Sequence, residues 1–133
     1  MRRILVIDDK PYVRATILSV LRPAGFDVVA VDDGKIGLRK FDESTFDLAI
    51  VDLYMPGVDG VQVIKELRKR APDFPIVAMS GVLLGPSRRT ALDIIPIVPG
   101  LTEIICLKKP FRSHELLSAV ESALAPVAPA PSA

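Results

Sequence analysis

Three aspartates, a serine and a lysine stand directly after short apolar runs in this chain of 133 residues. Asp8-Asp9 follow Ile4-Leu5-Val6-Ile7, and Asp52 follows Leu48-Ala49-Ile50-Val51. Ser80 follows Ile76-Val77-Ala78-Met79, and Lys108-Lys109-Pro110 follow Ile104-Ile105-Cys106-Leu107. If the runs are parallel strands, these side chains gather at the carboxyl edge of one sheet, where such folds bind ligands. Clustered carboxylates repel one another unless they are protonated or neutralised. A hard divalent cation such as Mg2+, which prefers oxygen ligands, solves that problem. A lysine and a hydroxyl opposite suit a phosphoryl group, whose charge sits on its peripheral oxygens. A carboxylate can itself be the nucleophile and become an aspartyl phosphate, with metal and lysine neutralising charge during in-line transfer. A single Asp at a strand end is ordinarily a turn residue or a helix cap. It is the set of five residues on four strand ends that points to a chemical site.

The elements that must position this set read as strand and helix in alternation. Ile4 to Ile7, Leu48 to Val51, Ile76 to Met79 and Ile104 to Leu107 have the continuous apolar character of strands buried on both faces. Phe26 to Val31 reads as a further strand. Helical spacing predicts a helix over Pro11 to Leu21, with Val13, Ile17, Leu18 and Leu21 inward and Pro11 suited to its first turn. A helix from Gly34 to Phe41 would turn Ile36, Leu38 and Phe41 inward, and one from Val61 to Arg70 would bury Val63, Ile64 and Leu67. Ser87 to Ile95 is a candidate helix that Pro96 and Pro99-Gly100 would stop early. A last helix runs from Ser113, its expected N-cap, to Leu124, with Leu116, Leu117, Val120 and Leu124 as its stripe. Five strands alternating with helical segments predict an α/β fold: a parallel sheet covered on both faces and, with right-handed crossovers, doubly wound.

Composition sets the remaining bounds. The length suits one domain, and 17 basic against 16 acidic side chains leave a net charge of +1, no argument for nucleic-acid or membrane-surface binding. The run Arg68-Lys69-Arg70 resembles a nucleic-acid patch in isolation, but cations at a helix C-terminus complement its dipole. The single cysteine, Cys106, favours a reducing compartment. No secretory signal or membrane-length apolar run is visible, so a cytoplasmic domain is expected. Residues 125–133 contain only Ala, Pro, Val and Ser and read as a flexible tail or linker.

With the motifs in order, the sequence resembles the receiver domain of two-component response regulators. The blocks that carry the resemblance are Ile4-Leu5-Val6-Ile7-Asp8-Asp9, Val51-Asp52-Leu53-Tyr54-Met55-Pro56 with Asp59-Gly60, Met79-Ser80-Gly81, and Lys109-Pro110-Phe111. It covers roughly residues 3 to 124, giving a receiver domain over 1–124. The resemblance implies a flavodoxin-like, five-stranded sheet in the order 2-1-3-4-5. It implies that Asp52 is the phosphoacceptor, that Asp9 and Asp52 bind Mg2+ directly, and that Asp8 acts through water. The Tyr54 backbone carbonyl would be a further ligand. Ser80 would hydrogen-bond a phosphoryl oxygen, Lys109 would be the family lysine, and the Lys109–Pro110 bond would be cis. The implied function is a signalling switch that takes a phosphoryl group from a histidine kinase or phosphotransfer protein and then engages a downstream protein target. Such a domain catalyses its own phosphorylation but acts as a switch rather than a metabolic enzyme.

Several positions depart from that pattern. Receivers usually carry an aromatic residue where Cys106 stands, and Cys106 is expected to be a small buried strand residue instead. The usual Gly-Ala pair before the fifth strand is missing, and the segment from Ser80 to Lys109 is longer than usual. Phosphorylation chemistry is therefore expected to be retained while its readout is altered. The apolar stretch from Leu83 to Leu107 is a candidate homodimer surface. Val82 and Tyr54, each two residues beyond Ser80 and Asp52, would crowd attacking water. Slow self-dephosphorylation is expected, and a phosphoryl half-life of seconds in a release assay would overturn that.

Two other readings compete. A constitutive interaction scaffold on the same fold would leave the acidic site vestigial, against the intact residue set. A phosphohydrolase would need a second acid near the nucleophile, commonly Asp-x-Asp, and Tyr54 occupies that place. His114, the single histidine, lies in the first turn of the last helix and is expected to be solvated. Asp32-Asp33-Gly34-Lys35 lacks the spacing of a calcium loop or a P-loop, and no Gly-x-Gly-x-x-Gly occurs.

Overall fold

The computed structural model describes residues 1–55, 58–81, 83–84, 89–90 and 104–125. Five parallel strands, β1 (Arg3–Ile7), β2 (Asp27–Val31), β3 (Leu48–Asp52), β4 (Ile76–Ser80) and β5 (Ile105–Lys108), form one sheet in the order β2-β1-β3-β4-β5. Four helices are described: α1 (Pro11–Leu21), α2 (Gly34–Glu43), α3 (Gly60–Arg70) and α4 (Ser113–Leu124). This is the doubly wound α/β arrangement expected from the alternation, with strand ends within a residue or two of their expected positions.

The period of two along each strand splits the core into two layers. Ile4 and Val6 of β1, Leu48 and Ile50 of β3, and Val77 and Met79 of β4 pack with Val13, Ile17 and Leu21 of α1 and Leu116 and Val120 of α4. Their neighbours Leu5, Ile7, Ala49, Val51, Ile76 and Ala78 pack with Val63, Ile64 and Leu67 of α3 on the other face. That is why the central strands read as unbroken apolar runs.

The helix starts are set by local chemistry. Pro11 is the first residue of α1, and Lys10 is its N-cap without a side-chain cap. Asp33 caps α2 by accepting from the N–H groups of Lys35 (2.6 Å) and Ile36 (3.2 Å), which gives this aspartate a structural task. Asp59 caps α3 through the N–H of Val61 at 2.9 Å. Leu53, just after β3, donates to Met79 O at 2.9 Å, so the chain leaving Asp52 stays tied to β4.

Four expectations are corrected. Ile36 is 37% exposed rather than inward, because the buried face of α2 runs through Gly34 and Gly37. A Cβ on Gly37 would overlap the Ile7 side chain, so the missing side chain lets α2 lie close on β1. Ser113 is the first helical residue of α4, not its N-cap; Arg112 is the N-cap, and its N–H donates to Glu115 Oε1 at 2.8 Å. Cys106 is exposed, not buried: it alternates with inward Leu107 on the edge strand β5. Across the candidate helix Ser87 to Ile95, Arg89–Thr90 are extended and pair antiparallel with Leu83–Leu84. The rest of that segment, Pro96, Pro99-Gly100 and the tail from residue 126 lie outside the described residues.

The basic run at the end of α3 is engaged within the protein. Arg70 pairs with Asp42 (2.8 Å) and Glu66 (3.2 Å), Lys69 pairs with Glu66 (3.1 Å), and Arg68 Nε donates to Phe74 O. Among the described residues no helix is long and apolar enough to cross a membrane.

Candidate functional site

The carboxyl ends of β1 and β3 and the residue after β5 bring four of the expected side chains together. Asp8, Asp9 and Asp52 each offer a carboxylate oxygen, and these lie within 4.8 Å of one another. Lys109 Nζ sits 2.7 Å from Asp8 Oδ2 and 3.3 Å from Asp52 Oδ2. Asp8 is fully buried and Asp52 is 2% exposed, so this lysine faces charges that water reaches poorly.

Parallel pairing is what delivers these groups. Ile7 of β1 stands opposite Val51 of β3, so Asp8 and Asp52 follow in register. Asp52 stands opposite Met79, and Ser80 opposite Lys108, so the β4 and β5 ends reach the same edge. Lys109 N–H donates to Ser80 O at 2.9 Å, and the Lys109–Pro110 bond is cis.

Asp52 and Ser80 differ in how their buried oxygens are met. Asp52 Oδ1 accepts from the Tyr54 N–H at 3.3 Å, whereas Oδ2 is met by charge, with Lys109 Nζ at 3.3 Å and Lys10 Nζ at 3.9 Å. Ser80 is fully buried and its Oγ has no hydrogen-bond partner. Buried polar groups are ordinarily paired, so an unpartnered hydroxyl at the sheet edge that carries the carboxylates is the mark of a ligand position. The donor set fits a hard divalent cation: all oxygen, anionic and partly open through Asp9, whose side chain is 26% exposed.

Burial raises the Asp52 pKa, and the neighbouring Asp8 charge adds to that; Lys109 and the Tyr54 N–H act in the opposite direction without cancelling it. Lys10, one residue past the acidic pair, was not among the residues picked out from sequence. Its N–H donates to Asp8 Oδ1 at 2.8 Å, and its Nζ lies 3.3 Å from Asp9 Oδ1 and 3.9 Å from Asp52 Oδ2. Burial opposes the charge on Lys10, but the Asp9 hydrogen bond and the three carboxylates outweigh it and raise its pKa. Arg14 was missed too; it donates to Asp8 O at 2.9 Å. The signal for Lys10 was its place beside Asp8-Asp9, where the turn into a Pro-initiated helix folds the side chain back.

A cavity of about 480 Å³ opens beside the acidic cluster, lined by Tyr12, Val13 and Thr16 of α1 together with Tyr54, Pro110 and Phe111. Tyr54, whose carbonyl was an expected ligand, contributes its N–H to Asp52 and is part of the cavity lining. His114 is exposed, away from this lining, and Val82 lies outside the described residues.

The family model described as the response regulator receiver domain matches residues 4–121. The transcriptional regulatory protein FixJ of Bradyrhizobium diazoefficiens is 32% identical over 127 residues, which are 96% of this chain and 58% of that protein. This chain spans about half the length of the curated relatives it matches. Among solved structures, Vibrio cholerae chemotaxis protein CheY4 superposes with a TM-score of 0.79 at 25% identity, covering 93% of this chain and 99% of that one. TrrA of Thermotoga maritima in complex with Mg2+ and BeF superposes at 0.76 with 30% identity, covering 93% and 100%. The structure of the histidine kinase ThkA in complex with TrrA gives 0.75 at 28% identity, covering 94% and 100%.

Proposed function

The chain belongs to the response regulator receiver domain family, and on that premise we propose that it is a phosphorylation-dependent switch with Asp52 as phosphoacceptor. The observation that carries the reading is the buried Ser80 Oγ, left without a hydrogen-bond partner at the edge where Asp8, Asp9, Asp52 and Lys109 meet. The receiver domain takes in residues 1–124, acts in the cytoplasm, and receives its phosphoryl group from the histidine of a kinase or phosphotransfer protein. The kinase complex of the TrrA relative supports that donor, and its Mg2+–BeF complex supports the metal.

Asp8, Asp9, Asp52 and the Tyr54 carbonyl would hold Mg2+. When bound, the ion neutralises carboxylates and transferring phosphoryl oxygens. The remaining work falls to the chain. Asp52 attacks phosphorus with a carboxylate oxygen, the new O–P bond forms as the donor's P–N bond breaks, and the imidazole keeps the electron pair. Burial helps the reaction: a carboxylate with few hydrogen bonds to shed is a better nucleophile than a hydrated one. Lys109 exchanges part of its pairing with Asp8 and Asp52 for a phosphoryl oxygen, and Ser80 Oγ turns toward another. Movement of Ser80 at the end of β4 passes the change outward through β5. Exposed Cys106 has no ring to swing inward, so the surface beyond β4 reads that movement differently from relatives with an aromatic there.

Incubation with acetyl phosphate and Mg2+, followed by intact mass measurement, tests the reading. One phosphoryl adduct is expected on the wild type, with at least a hundredfold less on Asp52→Asn and none when Mg2+ is chelated. A folded wild type that takes up nothing from acetyl phosphate or phosphoramidate overturns it. An adduct persisting on Asp52→Asn moves the acceptor elsewhere.

A further inference from the structure

Lys10 places a second cation against the acidic cluster, and its charge has a consequence that the acceptor chemistry alone does not contain. Its Nζ bridges Asp9 Oδ1 at 3.3 Å and Asp52 Oδ2 at 3.9 Å, while its backbone is held by the N–H bond to Asp8 Oδ1. Pro11 begins α1 immediately after it, and Lys10 is the helix N-cap. The ammonium therefore stands against two of the three carboxylates that would ligate a divalent cation.

Resting on the proposed function, we infer that Lys10 is a built-in counter-ion that competes with Mg2+ in the unphosphorylated domain and ceases to do so once Asp52 is phosphorylated. Three carboxylates, Lys109 and a divalent cation balance to zero, so Lys10 adds one unit of excess positive charge to the metal-loaded, unphosphorylated site. Phosphorylation replaces the single charge of Asp52 with about two. The loaded site with Lys10 then balances, and without Lys10 it is left one unit negative. The ion pairs that Lys10 makes with Asp9 and Asp52 must also be given up on metal entry, and an ion pair at a half-buried site is worth more than one in open water. Lys10 thus disfavours the metal before phosphoryl transfer and favours the metal–phosphoryl state after it. The domain couples the two ligands more tightly than the three aspartates would by themselves.

The test is calorimetric titration of Mg2+ into wild type, Lys10→Gln and Lys10→Arg, with and without beryllofluoride as the phosphoryl mimic. Amide NMR shifts give an independent readout. Lys10→Gln is expected to tighten Mg2+ binding about three- to tenfold without the mimic, as expected for one unit charge at a partly solvated site. Lys10→Arg, which keeps the charge, is expected to stay within twofold of wild type. With Mg2+ saturating, beryllofluoride is expected to bind Lys10→Gln more weakly than wild type. Equal Mg2+ affinity in wild type and Lys10→Gln overturns the inference and leaves the proposed function standing. So does tighter beryllofluoride binding to Lys10→Gln. No Mg2+ binding to either protein overturns the metal assignment itself, and the inference with it.

Discussion

Lys109→Ala is expected to cost about 3 kcal/mol of stability at neutral pH without divalent cations, as for a buried ion pair that loses one partner. Lys109 is the close cation of Asp8, at 2.7 Å, and of Asp52, at 3.3 Å, and both carboxylates are buried. After the substitution the nearest described cation to Asp52 is Lys10 at 3.9 Å, and its side chain is 40% exposed. The pH dependence separates charge from packing. Asp52 already titrates above its ordinary value, first because of burial and then because of Asp8, with Lys109 opposing. A carboxyl whose folded pKa exceeds its unfolded one is bound more tightly to its proton in the folded state. Its ionisation therefore costs stability: nothing below the unfolded pKa, then progressively more as pH rises through the folded one. Removing Lys109 raises the folded value further. The stability gap between wild type and Lys109→Ala should thus be full near neutrality and narrow toward the unfolded carboxylate range, at about pH 4. Urea unfolding at several pH values checks this. Saturating Mg2+ should narrow the gap at neutral pH as well. A gap constant with pH and indifferent to Mg2+ would place the loss in packing of the lysine stem.

The site was legible in the sequence to the extent that it depends on strands buried on both faces. Ile4-Leu5-Val6-Ile7 and Leu48-Ala49-Ile50-Val51 announce their strands by unbroken apolarity, and the polar residue that ends each run marks the edge where the sheet stops being covered. Parallel register then does the rest, since Asp8 and Asp52 are each one step past a paired residue. What failed depended on information that lies between elements. Ile36 has the right spacing to face inward, but Gly37 has no side chain to hold α2 away from Ile7, and the helix settles on its glycine face. Cys106 lies in an apolar run like the others, yet β5 is the last strand of the sheet, and Cys106 falls on the face opposite to inward Leu107, which is exposed at that position. Nothing within a run says that it is last. Lys10 stands next to Asp8-Asp9 in the sequence, but its approach to Asp52 exists only once β3 is paired beside β1. The basic end of α3 shows the opposite case, where a local rule about helix dipoles sufficed. Its partners Asp42 and Glu66 add ion pairs to what the dipole already favours.

Gly60→Ala is expected to destabilise the domain by about 3 kcal/mol and to weaken phosphoryl uptake together with Mg2+ binding. A Cβ at this position would overlap the Asp52 carbonyl oxygen and stand 2.5 Å from Leu53 Cα and 2.9 Å from the Asp52 carbonyl carbon. All three obstacles are backbone, so no rotamer change relieves them, and overpacking of this kind falls at the upper end of its usual range. The alanine would gain up to about 1 kcal/mol in helix propensity, too little to reverse the sign, and less than that at the first turn of α3. What has to yield is either the start of α3, whose Gly60 N–H donates to Leu53 O at 3.2 Å, or the end of β3. If β3 yields, Asp52 moves away from Asp8, Asp9 and Lys109, and the metal and the phosphoryl group lose the same carboxylate. Gly25→Ala supplies the control. Gly25 has φ +99° with nothing within 4 Å of its would-be Cβ, so the cost there is backbone strain alone, about 1–2 kcal/mol. It sits after α1, at the opposite end of that helix from Lys10, and should leave Mg2+ affinity unchanged. Urea unfolding and Mg2+ titration of both variants decide between the two origins. Equal losses of stability with unchanged Mg2+ affinity in both would mean that α3, not β3, gives way. A drop in Mg2+ affinity confined to Gly60→Ala would mean that the glycine is there to let the helix press against the acceptor strand and hold Asp52 in place.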